Sequence, residues 1–327
     1  MIMHLQQRTS RFILLALTFY LSFVSARADS AEIWFYAAEP FIRNSRGWDP
    51  NDFMELFTPT AQWTVGASGI QIFLLSNQFV AFATDQQLSQ VISDMKRRHI
   101  ALSMAGLMLT ASDRCGHHVE GYDGPNGILR TATRVKQLGG VLKYIAMDEP
   151  LLYGHFYSSP TACRDSIADV AKQVAEKVAQ AKSVFPQLKV GDIEPIGAAA
   201  QNHWMEQMQQ WPAAYQAAVG EPLAFMHVDI SWQNPNWQSD LQAESKILRA
   251  ATIPLGIIYN GSPQDQTDLE WTTHAEQRYH LIESNLRIIP DQAIIATWTA
   301  HPIRMLPEDQ PSTMTYLLKQ YVQMNHP

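Results

Sequence analysis

The chain has 327 residues, with 24 Lys and Arg against 31 Asp and Glu, and its net charge of -7 is spread along the sequence rather than gathered. No cluster of Lys and Arg tracks a phosphate backbone, so nucleic acid is not an expected partner. No long Pro/Ser/Gly linker, charge block or short repeat interrupts the chain, which predicts one compact domain.

The first element lies outside that domain. Arg8 and Arg11 flank the start of an apolar run, FILLALTFYLSFVS, which is followed by Ala26-Arg27-Ala28. A basic start, a short apolar core and a small-residue cut describe a secretory signal peptide over residues 1–28, cleaved before Asp29. The apolar run falls short of the roughly 20 residues that span a bilayer, so no stable membrane insertion is expected after cleavage. The mature chain, 29–327, is expected to be secreted or periplasmic.

From there β-prone runs alternate with amphipathic ones. Strands are predicted at EIWFYAA, IQIFLLS, IALSMAG, YIAMD, KVGDIE, FMHVDIS, LGIIYN and AIIATWT. Helices are predicted at PNDFMELF, DQQLSQVISDMKRRH, ILRTATRVKQLGG, CRDSIADVAKQVAEKVAQAKSVF, WMEQMQQWPAAYQAAV, WQSDLQAESKILRAA, DLEWTTHAEQRYHLIESNL and STMTYLLKQYVQM. Eight strand-then-helix units in this length predict a closed (β/α)8 TIM barrel, with an open doubly wound sheet as the alternative. Neither the dinucleotide glycine motif nor the phosphate-loop motif is present, and no cofactor or metal is expected.

Three predicted strands run into Glu-Pro: Glu39-Pro40, Glu149-Pro150 and Glu194-Pro195. Proline lacks a ladder donor and holds the preceding residue extended, so each pair is expected to end its strand. In a barrel this is the rim that carries reactive groups. Asp192 and Glu194 share one strand face, and His227 and Asp229 share another. Neighbouring strands are about 4.8 Å apart, so Glu149 and Glu194 could hold one substrate atom between them. Paired carboxylates suit glycosidic cleavage, in which one acid protonates the leaving oxygen while the other attacks the sugar or activates water. Glu149 is the expected general acid/base, with Glu194 or Asp229 as partner. Asp148 and Asp192 supply nearby negative charge, and Glu39 either orients substrate or pairs with Arg43. His227 either touches substrate or fills an inward polar layer. Trp232, Tyr259 and Trp298, at strand ends, are expected to stack on an oligo- or polysaccharide, as are Trp204, Trp237 and Tyr153. His301, on the same rim, is expected to bond a hydroxyl.

Cys115 and Cys163 fall in the loops after the third and fourth predicted strands and are expected to be disulfide-bonded in an exported chain. The exit MDEP resembles the Asn-Glu-Pro acid/base motif of the retaining (β/α)8 glycoside hydrolases. The resemblance implies a secreted glycosidase-like barrel with Glu149 on the acid/base position. This chain carries Asp148 where that clan has asparagine, and its seventh-strand exit, GIIYNGSPQ, has no glutamate on the nucleophile position. Two other readings compete. DRCGHHVEGYDG gathers His117, His118, Glu120 and Asp123, so a metal-dependent hydrolase or lyase is one alternative. A non-catalytic carbohydrate-binding barrel, which keeps the aromatic rim, is the other.

Overall fold

The computed structural model describes residues 30–48, 51–196 and 203–325. The expected signal peptide, 1–28, therefore lies outside the described residues. The barrel strands are β1 (Glu32–Tyr36), β2 (Ile72–Leu75), β3 (Ala101–Gly106) and β4 (Leu142–Asp148), then β5 (Lys189–Ile196), β6 (Met226–Ile230), β7 (Leu255–Tyr259) and β8 (Gln292–Ala296). All neighbours pair in parallel, and β8 closes back on β1 through Glu32↔Gln292 to Tyr36↔Ala296. The closed TIM barrel is thus the architecture, and the open sheet is not.

Each strand is followed by a helix: α1 (Thr64–Gly69), α2 (Asp85–Arg98), α3 (Gly127–Gln137), α4 (Ile167–Val184), α5 (Trp204–Val219), α6 (Trp237–Ala250), α7 (Asp268–Tyr279) and α8 (Met314–Asn325). The starts follow their caps. Thr84 forms a capping box with Gln87 at α2, and Ser166 and Thr267 accept from the first-turn amides of α4 and α7. The first unit departs from expectation. PNDFMELF forms only a short 3-10 turn, Phe53–Phe57, and the helix that packs on the barrel is the later α1. Two α1 amides, those of Val65 and Gly66, are taken by the Glu308 carboxylate at 3.1 and 3.0 Å. A side chain at Gly69 would come within 2.4 Å of Val322, so glycine lets α1 press against α8.

Strand alternation divides the core in two. Trp34, Tyr144, Ile193, Phe225, Ile258 and Ile294 point into the barrel, while Phe35, Met147, Val228 and Tyr259 join a larger layer between strands and helices. The inward parity is what positions the site. It assigns Tyr36, Asp148 and Asp229 to the inside of the wall, and Asp192 and Glu194 to the outside.

One expectation about proline is corrected here. β5 does not end at Glu194 but runs through Pro195 to Ile196, paired with Asp229 and Ile230 of β6. The Ile193 carbonyl accepts the Glu149 amide at 3.1 Å, so β5 residues of that parity bond toward β4, whereas the Asp192 amide bonds toward β6, to Phe225 O. β4 has already ended at Asp148, opposite Ile193. The amide that Pro195 lacks would have had no strand to meet.

Candidate active site

The floor of the barrel is a polar chain. Lys143 Nζ bonds Glu32 Oε1 at 2.8 Å, Gln292 Nε2 donates to Glu32 Oε2 at 3.0 Å, and His227 Nε2 meets Gln292 Oε1 at 2.7 Å. Because that amide oxygen only accepts, His227 carries its proton on Nε2. The ring stacks on Phe225, with centroids 4.2 Å apart, and stands edge-on to Trp34. Burial pushes its pKa down to about 3 despite the Gln292 bond, so the ring is neutral. Gly256 leaves the space it fills, since a Cβ there would lie 2.2 Å from the imidazole. His227 is therefore part of the packed interior and not a substrate ligand.

Above this floor, Asp148 ends β4 and Asp229 sits near the end of β6, both inward and half-buried. Glu149 follows with φ of 51°, a left-handed conformation that costs a non-glycine residue of order 1 kcal/mol. That turn breaks the alternation of the strand, so adjacent acids can serve one region. Burial raises the pKa of Asp148 to about 7, with Glu120 and Asp229 adding to it. Asp229 is raised to about 7 by burial and then by Glu120. Glu149 is raised well above the ordinary carboxyl range by burial, then by Asp229, Asp148 and Glu120.

Around them stand Tyr36, Tyr153 and Trp298, all half-buried. The Tyr36 and Trp298 rings lie 6.4 Å apart against the inner cluster, and burial, Glu39 and Asp148 hold the Tyr36 phenol well above its usual range. Tyr153 donates to Glu120 Oε2 at 2.8 Å. Tyr36 was not among the residues expected at the site, and Glu120 was expected only as a member of the His117/His118 loop. Tyr36 could have been found from the Glu32, Trp34, Tyr36 alternation had the inward parity been known.

Several expected residues lie elsewhere. Glu194 is fully buried on the outer side of β5, and its two oxygens accept the Leu151 and Leu152 amides at 2.6 and 3.1 Å. It caps the helical turn that follows Glu149 and does not face Glu149 across a substrate. Asp192 accepts the Trp211 indole N–H at 2.5 Å behind the wall. Tyr259 points outward, where it and Tyr321 share the Glu283 carboxylate at 2.6 and 2.8 Å. Trp232 belongs to the outer layer, its N–H on Asn260 and its ring under the Arg278 guanidinium, 4.3 Å from the centroid. Trp204 is buried against Phe156, and Trp237 stands edge-on to Trp232. Glu39 caps the short helix Pro40–Ser45 by accepting the Ile42 amide, and also accepts from Ser76, so it is committed to the rim rather than open to substrate. His301 is held by Asp268 at 2.6 Å, pinning the loop after β8 to the start of α7. Trp298 alone of the expected stacking tryptophans belongs to the inner wall.

Cys115 and Cys163 form the expected disulfide. His117 and His118 are exposed beside it. Among the described residues, the one His/Cys/Asp/Glu triad with ligand atoms within 4.8 Å of one another is Asp265, Glu270 and His274. Neither the His117/His118 loop nor the acids at the mouth meet that spacing, so the metal-dependent alternative lacks a gathered ligand set.

No family model matches this chain, and no curated protein matches it. Solved structures do. A GH5_18 protein from Streptomyces cattleya in complex with GlcNAc superposes with a TM-score of 0.54 at 10% identity, over 91% of this chain and 80% of that one. The fungal β-1,4-galactanases give 0.53 at 8% identity, over 89% and 100%. An endo-1,4-β-xylanase from Caldicellulosiruptor owensensis gives 0.50 at 9%, over 83% and 85%. The likeness is one of fold. In architecture this chain is a TIM barrel, and its chemistry has to be argued from its own side chains.

Proposed function

We propose that the mature chain is an exported glycoside hydrolase acting on an oligo- or polysaccharide, with Glu149 as general acid and Asp229 as the second carboxylate. The observation that carries this reading is the convergence of Asp148, Glu149 and Asp229 at the C-terminal mouth of the barrel, half-buried and with raised proton affinity. A carboxyl group that keeps its proton near neutral pH can deliver it to a leaving glycosidic oxygen. Asp229, reaching the same mouth two strands away, is the group that attacks the anomeric carbon or activates water as the oxocarbenium-like charge develops. It takes the role for which the seventh-strand exit offers no glutamate. Asp148 raises the proton affinity of Glu149, and Tyr36 and Trp298 offer ring faces to the sugar. The glycosidase fold of the structural neighbours is in keeping with this reading.

Turnover of a panel of neutral, acidic and amino-sugar glycans by the wild type, lost in Glu149→Gln with glycan binding retained, is the expected result. Binding without turnover by the wild type on every glycan would replace the enzyme with the carbohydrate-binding barrel. Export rests on residues 1–28, and the amino terminus of the exported protein should read Asp29.

A further inference from the structure

The loop between β3 and α3 is built more firmly than a surface connection requires. Leu109–Thr110 pairs in parallel with Tyr122–Asp123, the Cys115–Cys163 disulfide ties its tip to the loop after β4, and the Gly116 amide bonds Thr161 O at 2.7 Å. Its inner end presses directly on the site. A Cβ at Gly121 would lie 3.0 Å from the Asp148 carbonyl oxygen and 3.6 Å from Tyr153 Cβ, and its φ of 79° suits glycine there. Glu120, the preceding residue, is exposed and is held at the site by the Tyr153 hydroxyl, which donates to one of its oxygens at 2.8 Å.

We infer that Glu120, delivered by this disulfide-tethered loop, completes the site as a positioning residue that acts through Tyr153 and the strand-end acids. The inference rests on the barrel mouth being the reactive site. Negative charge on the Glu120 carboxylate acts on Asp148, Glu149 and Asp229 and favours their protonated forms. Among the described residues, the other charged or titratable groups that act on the set or its tyrosines are Tyr36, Glu39 and Arg46 from the first unit, Tyr153 after β4, and Asp192 and Glu194 behind β5. Arg46 alone among these is cationic and acts on Tyr36, so Glu120 is the exposed member of a predominantly negative set. The disulfide is one of the ties that hold this loop, and with it Glu120, at the site.

Glu120→Gln tests this, because the amide oxygen still accepts from Tyr153 while the charge is gone. Two readouts are taken: the pH profile of kcat/KM on the best glycan, and carboxyl titration by 13C NMR, which needs no substrate. The acidic limb and the Asp148 and Asp229 titrations are expected to move down by roughly half a pH unit to one unit, with the maximal rate changed less than about threefold. The Cys115→Ser/Cys163→Ser double variant should shift the titrations in the same direction if circular dichroism finds it folded. If it is unfolded, Glu120→Gln alone decides. Titrations that superpose on the wild type overturn the inference. Shifted titrations in a protein that hydrolyses no glycan would instead uphold the role of Glu120 and sink the hydrolase.

Discussion

Two groups of carboxylates occupy the same stretch of barrel wall and differ only in the side to which the strand turns them. Asp148 and Asp229 point inward, stay half-buried, and accept no hydrogen bond from a neighbouring side chain or amide among the described residues. Asp192 and Glu194 point outward, are wholly buried, and are bonded to the Trp211 indole and to two backbone amides. Identical chemistry thus stands without donors on one face and serves architecture on the other. A buried acid with donors on its oxygens is consumed by the fold, while one with water and no donors is free to exchange a proton. The largest test of this contrast sets Glu149→Gln beside Glu194→Gln. Loss of a positioned general acid costs about 10³-fold in kcat, so the first variant should lose nearly all turnover at unchanged thermal stability. If Glu194→Gln is the variant that abolishes turnover while staying as stable as the wild type, the two faces have been assigned the wrong way round.

A second test concerns what Glu194 does instead. Glu194→Leu leaves the Leu151 and Leu152 amides without their acceptor in a buried place, which should destabilise the fold by about 2–4 kcal/mol. Chemical denaturation measures it. The effect on kcat should be within tenfold once the unfolded fraction is subtracted, since the turn after Glu149 would loosen without losing its acid. An undiminished midpoint would mean that these amides find water or another partner and that Glu194 is not a strut.

Why the sequence reading assigned Glu194 to the cleft follows from the physics of parallel barrels. Both faces of such strands are buried, so the apolar pattern does not say which parity is inward. VGDIEPI offers Asp192 and Glu194 on one face and Gly191, Ile193 and Pro195 on the other, and either set could have lined the lumen. Pairing decides it, through Asp148↔Ile193 and Pro195↔Asp229. The strand-helix rhythm, by contrast, was legible throughout, because it depends on local period, and so was the turn at Asp148-Glu149-Pro150. The disulfide was legible from the two loops that carry it. Glu120 was visible only as one acid in a His-containing loop, because its approach to Asp148 is made by Gly121 packing across the chain, which no local pattern encodes. Tyr259 and Trp232 stood at strand ends as expected, yet the Tyr259 ring turns to Glu283 outside the wall and the Trp232 N–H is taken by Asn260.

The smallest predicted effect lies on a helix behind the wall and completes the contrast. Glu244, on α6, is fully buried, and neither of its oxygens meets a donor among the described residues. Burial, with a smaller push from Asp240, raises its pKa to about 8. An unfolded chain ionises this carboxyl near the ordinary glutamate value, about 4.3, whereas the folded chain holds the proton. The stability it contributes is therefore fully present below that ordinary value and is lost progressively as pH rises through about 8. Asp192 nearby is raised as well, first by burial and in part by Glu244, so the slope of the whole protein is a sum. Comparing Glu244→Met with the wild type isolates one member. The two should unfold at similar denaturant concentrations at pH 5, and the variant should be the more stable at pH 8.5, by about 1–3 kcal/mol after discounting for relaxation around the ionised group. Equal stability at both pH values would mean that Glu244 is solvated or paired in solution, and that outward burial does not by itself hold a proton on these acids.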